Sequence, residues 1–504
     1  VYITLSLTKQ YAGREVRFFR QFAQIGVAVL YSIRGAYGRT YRWRKADNAC
    51  RPYRTEPAGA SARIDICRGV YYNRYTKTHR PGAAAQNREG VTDMAFANKE
   101  RIARTLEALA QYGATTGGGV TRLSYTEEYR AAQDYLRREM EAAGLTVRID
   151  PIGNLIGRRE GADSALPAIA VGSHLDSVRN GGRFDGAMGV VCGLELARML
   201  REDGLALRHP FEAVAIVEEE GNSFGSGILG GRALAGLVEA DFLKKLTNAD
   251  GVTAYDVMAA YGLHPEALDE VKRSRDNWAC FIEPHIEQGP VLESEGLSVG
   301  IVDAIVGICT RRIVITGRPD HGGTTPMHLR LDAMVAASKV VQLADRLARE
   351  LHDGTVATCG SLRVEPGAIN VVPGRVEMTL DCRSSHQASI DTVVGAVEAL
   401  LEQLRTEGYG VEMSVLMDSA PVRLSQRVAA ALKRGMAENG LPVRTLPSGA
   451  GHDSMFISRV TDVGMLFVSS RDGRSHCPEE FTDTADIARC CDVVYSALRE
   501  LDRA

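Results

Sequence analysis

Apolar positions recur with a regular period from Asn98 onward, and with none before it. Ile102, Leu106, Leu109 and Ala110 fall on one face of a helix, and Tyr129, Ala132, Leu136 and Met140 repeat the spacing. The second helix follows Ser124-x-x-Glu127, which reads as a capping box, and Gly144 reads as its stop. Short β-like runs come next at 147–149, 154–156 and 168–171, then a helix after Gly189, a strand at 213–217 and a helix near 228–237. Strands alternating with helices predict an α/β fold whose largely parallel sheet carries helices on both faces.

The pattern changes between 304 and 417. A strand at 310–316, a helix at 331–351, strands at 356–364 and 375–383, a helix at 390–404 and a strand at 411–416 give the order β-α-β-β-α-β. That order predicts a ferredoxin-like α+β unit of two layers. Its second helix repeats Ile390, Val393, Val394, Val397, Leu400, Leu401 and Leu404, too regular for a linker. The α/β pattern then resumes with a helix at 426–438, a strand at 463–468 and a helix at 487–501. The smaller unit, 304–417, is therefore expected as an insertion between two parts of the larger one, 93–303 and 418–504.

Residues 1–92 stand apart, with 17 Lys or Arg against 5 Asp or Glu and no clear helical or strand period. A basic arm for nucleic acid or anionic lipid is one reading. Met94 directly precedes the first patterned helix, so the segment is expected to be a disordered or spurious extension. Residues 22–33, after Arg14, Arg17 and Arg20, superficially copy a secretory signal but lack a small-x-small cleavage site. No apolar run reaches the roughly 18 residues of a membrane span. The formal charge of −3 makes no case for nucleic acid, and the 10 cysteines show no Cys-x-x-Cys, which suits a cytoplasmic location.

Candidate chemistry gathers at the ends of the apolar runs. His174 and Asp176 alternate in an extended segment, Asp185 follows the turn Asn180-Gly181-Gly182-Arg183, and Glu218-Glu219-Glu220 closes the run at 213–217. His285 lies in Phe281-Ile282-Glu283-Pro284-His285, and His476 in Ser475-His476-Cys477-Pro478. His174, Asp185, Glu220, His285 and His476 suit two divalent ions, with Asp185 bridging. Asp176 is placed to orient the His174 imidazole. Of adjacent glutamates, one can neutralise metal charge while its neighbour acts as general base. The inserted unit adds His321, Asn370 and Arg383: an arginine clamps a carboxylate, an asparagine donates, and a histidine polarises a scissile carbonyl.

These motifs, with Gly117-Gly118-Gly119-Val120-Thr121-Arg122-Leu123, Gly153-Asn154-Leu155, Glu287-Gln288-Gly289-Pro290 and Ser448-Gly449-Ala450-Gly451-His452-Asp453, resemble those of the metal-dependent amidohydrolases of the M20 peptidase group. Within that group they resemble the branch of N-carbamoyl-L-amino-acid hydrolases, β-ureidopropionases and allantoate amidohydrolases, because a histidine stands at 285. The resemblance implies His174, Asp185 and His285 around one ion, Asp185, Glu220 and His476 around the other, and Glu219 as general base. It implies substrate contacts from Gln288, His321, Asn370 and Arg383, with His452 lining the pocket. It further implies that the inserted unit is a lid and makes a homodimer. Asn222-Ser223-Phe224, Cys477 and Gly322 depart from the family's usual Ser-Arg-Phe, asparagine and alanine; none removes a ligand, and the first two bear on substrate preference.

The expected reaction is hydrolysis of the ureido C–N bond of an N-carbamoyl-L-amino acid to amino acid, carbon dioxide and ammonia. The expected cofactors are two divalent ions, zinc or manganese, with cobalt and nickel also suited to the ligands. Allantoate and β-ureido acids are the alternative substrates, and a non-hydrolytic metal- or ligand-binding homologue is the contrasting class. The expected partner is a small carbamoyl or ureido compound, with neither nucleic acid nor membrane.

Overall fold

The computed structural model describes residues 96–503 and, further upstream, the backbone of three strands, β1 (Ser32–Arg34), β2 (Thr40–Ala46) and β3 (Ala49–Arg54). The three form an antiparallel sheet in the order β1-β2-β3, within a unit spanning 1–91. That is strand structure where the sequence showed no period. What was expected of the rest of 1–92 lies outside the described residues.

In the unit spanning 92–504, the first two helices, Lys99–Gln111 and Glu127–Ala142, bury the faces the periodicity marks, with Ile102, Leu109, Tyr129, Leu136 and Met140 fully covered. The cap of the second differs from the expected capping box. Thr126, not Ser124, is the N-cap, and its hydroxyl accepts the Tyr129 amide, so one end of the helix is satisfied by the nearer hydroxyl. Gly144 follows the helix at φ +89°, a conformation that costs glycine least.

Six strands follow: β4 (Thr146–Ile149), β5 (Leu155–Arg159), β6 (Ala168–His174), β7 (Phe211–Ile216), β8 (Trp278–Ile286) and β9 (Val299–Ile305). The insertion then supplies β10 (Gly307–Thr316), β11 (Val356–Thr358), β12 (Leu362–Glu365), β13 (Arg375–Ser384) and β14 (Gly410–Ser419). The run expected as one strand at 356–364 is split into β11 and β12, which pair with different stretches of β13. The chain returns to the larger sheet with β15 (Val422–Arg423), β16 (Thr445–Ser448) and β17 (Asp462–Val468).

The larger sheet has nine strands in the order β15-β9-β17-β8-β6-β7-β5-β4, with β16 also on β9. Its centre, β17-β8-β6-β7, is parallel, and β5, β4 and β9 extend it antiparallel. Every residue of β6 and β7 is buried, as expected of strands covered on both faces. Helix Ala187–Glu202 is buried almost all round, and Trp278 stacks on Phe281 with ring centroids 5.5 Å apart. Fully burying one such aliphatic or aromatic side chain contributes roughly 1.5–3 kcal/mol. The four parallel strands end on the same edge, which the connecting loops turn into a cleft.

The five-stranded sheet is antiparallel, β11-β13-β10-β14 with β12 on β13, and has its own core. Val376, Met378, Leu380 and Cys382 of β13 face helices Ala333–Leu351 and Gln387–Thr406, while the alternate residues are half-exposed. β14 is an edge strand with Val415, Leu416 and Met417 exposed. Among the described residues no helix is long and apolar enough to cross a membrane.

Candidate metal centre

Each of the five expected ligands sits at the carboxyl edge of the parallel strands or in the loop just beyond. His174 ends β6, His285 is the penultimate residue of β8, Glu220 follows β7, and His476 follows β17. Asp185 lies one residue before Gly186, the N-cap of the helix Ala187–Glu202. Three overlapping groups result: His174 with Asp185 and His285, His174 with Glu219 and Glu220, and Asp185 with Glu220 and His476. Within each, one donor atom per residue lies within 4.8 Å of the others.

The imidazoles are held so that one nitrogen of each faces this cluster. His174 Nδ1 lies 3.1 Å from the main-chain oxygen of Asp176, and His285 Nδ1 lies 2.9 Å from that of Ile286. Both Nδ1 atoms therefore donate, which leaves both Nε2 atoms facing the cleft. His285 Nε2 is 3.2 Å and His174 Nε2 3.7 Å from Asp185 Oδ1, while His476 Nε2 is 3.1 Å from Asp185 Oδ2 and 3.5 Å from Glu220. Asp185 Oδ1 and Glu220 Oε1 are buried with no hydrogen-bond partner. Two orphaned carboxylate oxygens facing three imidazole nitrogens are what a divalent cation would satisfy, so the residues fit a metal.

Asp176 meets His174 through its main chain as well as its carboxylate. The His174 ring is oriented by the Asp176 carbonyl, and the Asp176 carboxylate, 3.8 Å away, also accepts the amides of Glu219 and Glu220 at 3.1 Å each. It shapes the glutamate turn. The stretch from Gly117 to Leu123 lies alongside: the Arg122 amide donates to Ser177 Oγ, and its guanidinium donates to the Leu175 carbonyl. Gly186, at φ +61°, lies under the imidazole, where a Cβ would come 2.3 Å from His174 Nδ1. Glu218, Gln288 and His476 adopt φ of +56°, +56° and +57°, left-handed conformations uncommon without glycine and concentrated at functional sites.

Burial and mutual repulsion set the protonation of the carboxyls. Burial pushes Glu219 well above the usual carboxylate range, with Glu220 and Asp453 adding repulsion and His174 opposing it. Burial next to Asp185 raises Glu220 to about 7, and burial next to Asp176 raises Glu218 to about 7. Asp185 goes the other way: burial is outweighed by His174 and His476, which hold it well below the usual range. His476, hydrogen-bonded to Asp185, is raised to about 9. In His174, burial opposes the charged ring but the Asp185, Glu219 and Asp176 carboxylates prevail and raise it. Glu219 Oε2 lies 3.9 Å from His174 Nε2, facing the cluster without belonging to its tightest contacts.

A cavity of about 510 Å³ opens beside the cluster, lined by Gln288, Ala450, Gly473, Arg474, Ser475, His476 and Cys477. The Gln288 amide donates to Asp185 Oδ2 at 2.9 Å, and its Oε1 is buried without a partner. His452 lies behind His285, edge-on with centroids 4.5 Å apart, and its Nε2 is 2.7 Å from Ser448 Oγ. Arg383 reaches from β13 to the Gly449 carbonyl at 3.0 Å, next to Ala450, while also pairing with Asp381. His321 and Asn370 lie side by side, joined by the Gly322 amide on the Asn370 carbonyl, and make no hydrogen bond or ion pair with the cluster. Another cavity, about 620 Å³, lies between Arg130, Arg137 and Tyr261 and holds none of these residues.

Two buried groups escaped the sequence reading. Glu480 accepts the Phe184 and Asp185 amides and the Ser475 hydroxyl, and burial raises it to about 7. Asp453 accepts the Gly231 amide while burial, together with Glu283, raises it well above the usual range. Both stand beside residues that were singled out, at Cys477-Pro478-Glu479-Glu480 and at His452-Asp453, and adjacency was the only signal.

The family model for peptidase family M20/M25/M40 matches residues 170–500. The N-carbamoyl-L-amino-acid amidohydrolase of Paenarthrobacter aurescens is 49% identical over 408 residues, covering 81% of this chain and 99% of that protein. The N-carbamoyl-L-amino acid amidohydrolase of Geobacillus stearothermophilus is 40% identical over 403 residues, covering 80% of this chain and 98% of that protein. A solved amidase of the hydantoinase/carbamoylase family from Burkholderia multivorans superposes with a TM-score of 0.76 at 31% identity, covering 81% of this chain and 99% of that one.

Proposed function

Because the chain belongs to peptidase family M20/M25/M40 and aligns over nearly the whole length of two N-carbamoyl-L-amino-acid amidohydrolases, we propose that it is a hydrolase of the ureido C–N bond of N-carbamoyl-L-amino acids. One water and one carbamoyl amino acid yield the amino acid, carbon dioxide and ammonia. The observation that carries the reading is the cluster itself: three imidazoles and two carboxylates around orphaned oxygens, with a further glutamate at its edge.

His174, Asp185 and His285 would hold one divalent ion and Asp185, Glu220 and His476 a second, with zinc or manganese suited to this donor set. Such ions, when bound, polarise a carbonyl and acidify water. Glu219 takes the proton of the attacking water and returns it to the departing nitrogen. Asp176 keeps Glu219 and Glu220 in register through their amides. Gln288 presents its free Oε1 to the carbamoyl N–H group, and Arg383, at the Gly449 side of the cavity, anchors the substrate carboxylate. His452 fixes the face of His285 away from the cavity, and through it the pocket wall.

The inserted unit, 304–417, acts as lid and as dimerisation surface between the two parts of the catalytic unit, 93–303 and 418–504. Support comes from the free edge of β14, where Val415, Leu416 and Met417 are exposed, and from His321 and Asn370, which carry recognition chemistry away from the cluster. Lid closure brings that pair toward the carbamoyl oxygen and excludes bulk water. Free cysteines throughout the described residues suit a cytoplasmic location.

The test is ammonia release from N-carbamoyl-L-methionine, N-carbamoyl-β-alanine and allantoate by metal-loaded protein, with sedimentation velocity for the dimer. Turnover of the carbamoyl-L-amino acid above the other two is expected. Activity on allantoate alone overturns the substrate assignment, and inactivity on all three overturns the hydrolase.

A further inference from the structure

Glu480 is 3% exposed and belongs to none of the groups that could hold a metal. One of its oxygens, Oε1, accepts the Phe184 amide at 2.9 Å and the Asp185 amide at 3.1 Å. Its other oxygen, Oε2, is 2.9 Å from Ser475 Oγ, which is also 2.9 Å from Asp185 Oδ2. The side chain thus grips, at the same time, the backbone of one candidate ligand and the residue preceding another, His476. Its seat is cut to size: a Cβ on Gly182 would lie 2.0 Å from Glu480 Oε1.

We infer that Glu480 is a positioning residue that locks the loop carrying Asp185 to the loop carrying His476, and so sets the separation of these two candidate ligands. The inference rests on the metal-centre reading above. All three partners are donors, so what the seat requires is acceptor oxygen at Oε1 and a group at Oε2 that completes Ser475. The Ser475 hydroxyl has one proton and two carboxylates at equal distance. A glutamine meets the demand: its oxygen accepts both amides, its N–H group donates to Ser475 Oγ, and the serine proton goes to Asp185. Alanine leaves two buried amides unpaired and the loops untied.

Chelator competition against Zn²⁺ on the full chain, with thermal unfolding of the metal-stripped protein alongside, tests this. Glu480→Ala is expected to weaken metal retention on the order of 10- to 100-fold, the usual cost of removing a group that orients ligands, while Glu480→Gln stays within about threefold of wild type. Equal retention by wild type and Glu480→Ala overturns the inference, as does an equal loss in Ala and Gln. Should the alanine variant not fold, Glu480→Asp, one methylene too short to span both loops, takes its place with the same tenfold or greater loss expected and equality again overturning. A wild-type protein that retains no metal brings down the metal centre itself, a result distinct from either.

Discussion

The strand ends of the large sheet and the inserted five-stranded sheet treat charge in opposite ways. At the strand ends, Asp185, Glu218, Glu283 and His285 are buried: Asp185 faces His285, Asp185 and Glu218 each keep an orphaned oxygen, Glu283 is held by Ser173 and Ser454, and Glu218, Gln288 and His476 take left-handed backbone conformations. In the insertion, Glu377 with Arg312 and Arg375, Asp345 with Arg349, and Glu350 with Arg346 form ordinary pairs at the surface, while Arg311 is buried and paired with Asp418. A fold tolerates the first arrangement only where a bound cation or a reaction makes use of it, because uncompensated buried charge costs several kcal/mol per ion. The second costs little and contributes little. The contrast marks the strand ends as the place where the fold concentrates buried, strained polar groups.

Breaking that contrast most sharply is Glu219→Gln. The amide keeps the shape but cannot take a proton from water, so kcat is expected to fall by about 10²–10⁴-fold while metal content is unchanged. Steady-state ammonia release together with metal analysis reads both quantities. Full turnover in this variant would show that the buried glutamate is structural, and the strand-end cluster would then differ from the insertion only in burial.

The second test uses pH on the strand ends alone. Without metal, His476 is protonated up to about 9 through its hydrogen bond to Asp185, and burial next to Asp185 keeps Glu220 protonated up to about 7. A cation needs both deprotonated, together with His174, which its neighbouring carboxylates also raise, so metal affinity rises as pH rises through 7 and toward 9. The expected change is about tenfold per pH unit for each proton displaced. Chelator competition between pH 6 and pH 10 follows it, and an affinity flat across that range would mean the two groups are not ligands.

The insertion is probed next through Arg383→Ala. Loss of a charge-assisted contact to a carboxylate costs about 1.5–3 kcal/mol, so KM for the carbamoyl amino acid is expected to rise about 10- to 100-fold with kcat little changed. A fall in kcat at constant KM would move Arg383 from binding to the chemical step.

What could be read from the letters follows the same division. β6 and β7 were legible because strands buried on both faces are apolar throughout, and the candidate ligands His174, Glu220 and His285 were legible because they stand at or just past the ends of such strands. The insertion was legible because its helices repeat at a helical period and β13 alternates strictly. The helix start at Thr126 was missed because Ser124 offers the same hydroxyl two residues earlier, and only the local fold decides between them. Glu480 was missed for a deeper reason: its partner, the Asp185 amide, lies 295 residues away, and a contact at that range leaves no local pattern. The double role of Asp176, carbonyl to His174 and carboxylate to the glutamate turn, is likewise a product of loop geometry.

The smallest effect is expected from Glu377, and its smallness sharpens the comparison. Arg312 and Arg375 hold its carboxyl at about 2, below its usual 4.5, on the half-exposed face of β13. A depressed folded-state pKa adds stability above the unfolded value that is lost as pH falls through the folded one, so this pair acts above pH 4.5 and fades toward pH 2. Solvent screens the charges, and Glu377→Gln is expected to shift the melting temperature at pH 7 by no more than about 2 °C, less still in high salt. Calorimetry at pH 7 with and without 0.5 M salt checks it, at about the precision such shifts require. A loss several times larger would mean that the insertion, too, depends on its charges, and the division between a preorganised strand-end cluster and an adaptable surface would fail from the opposite side.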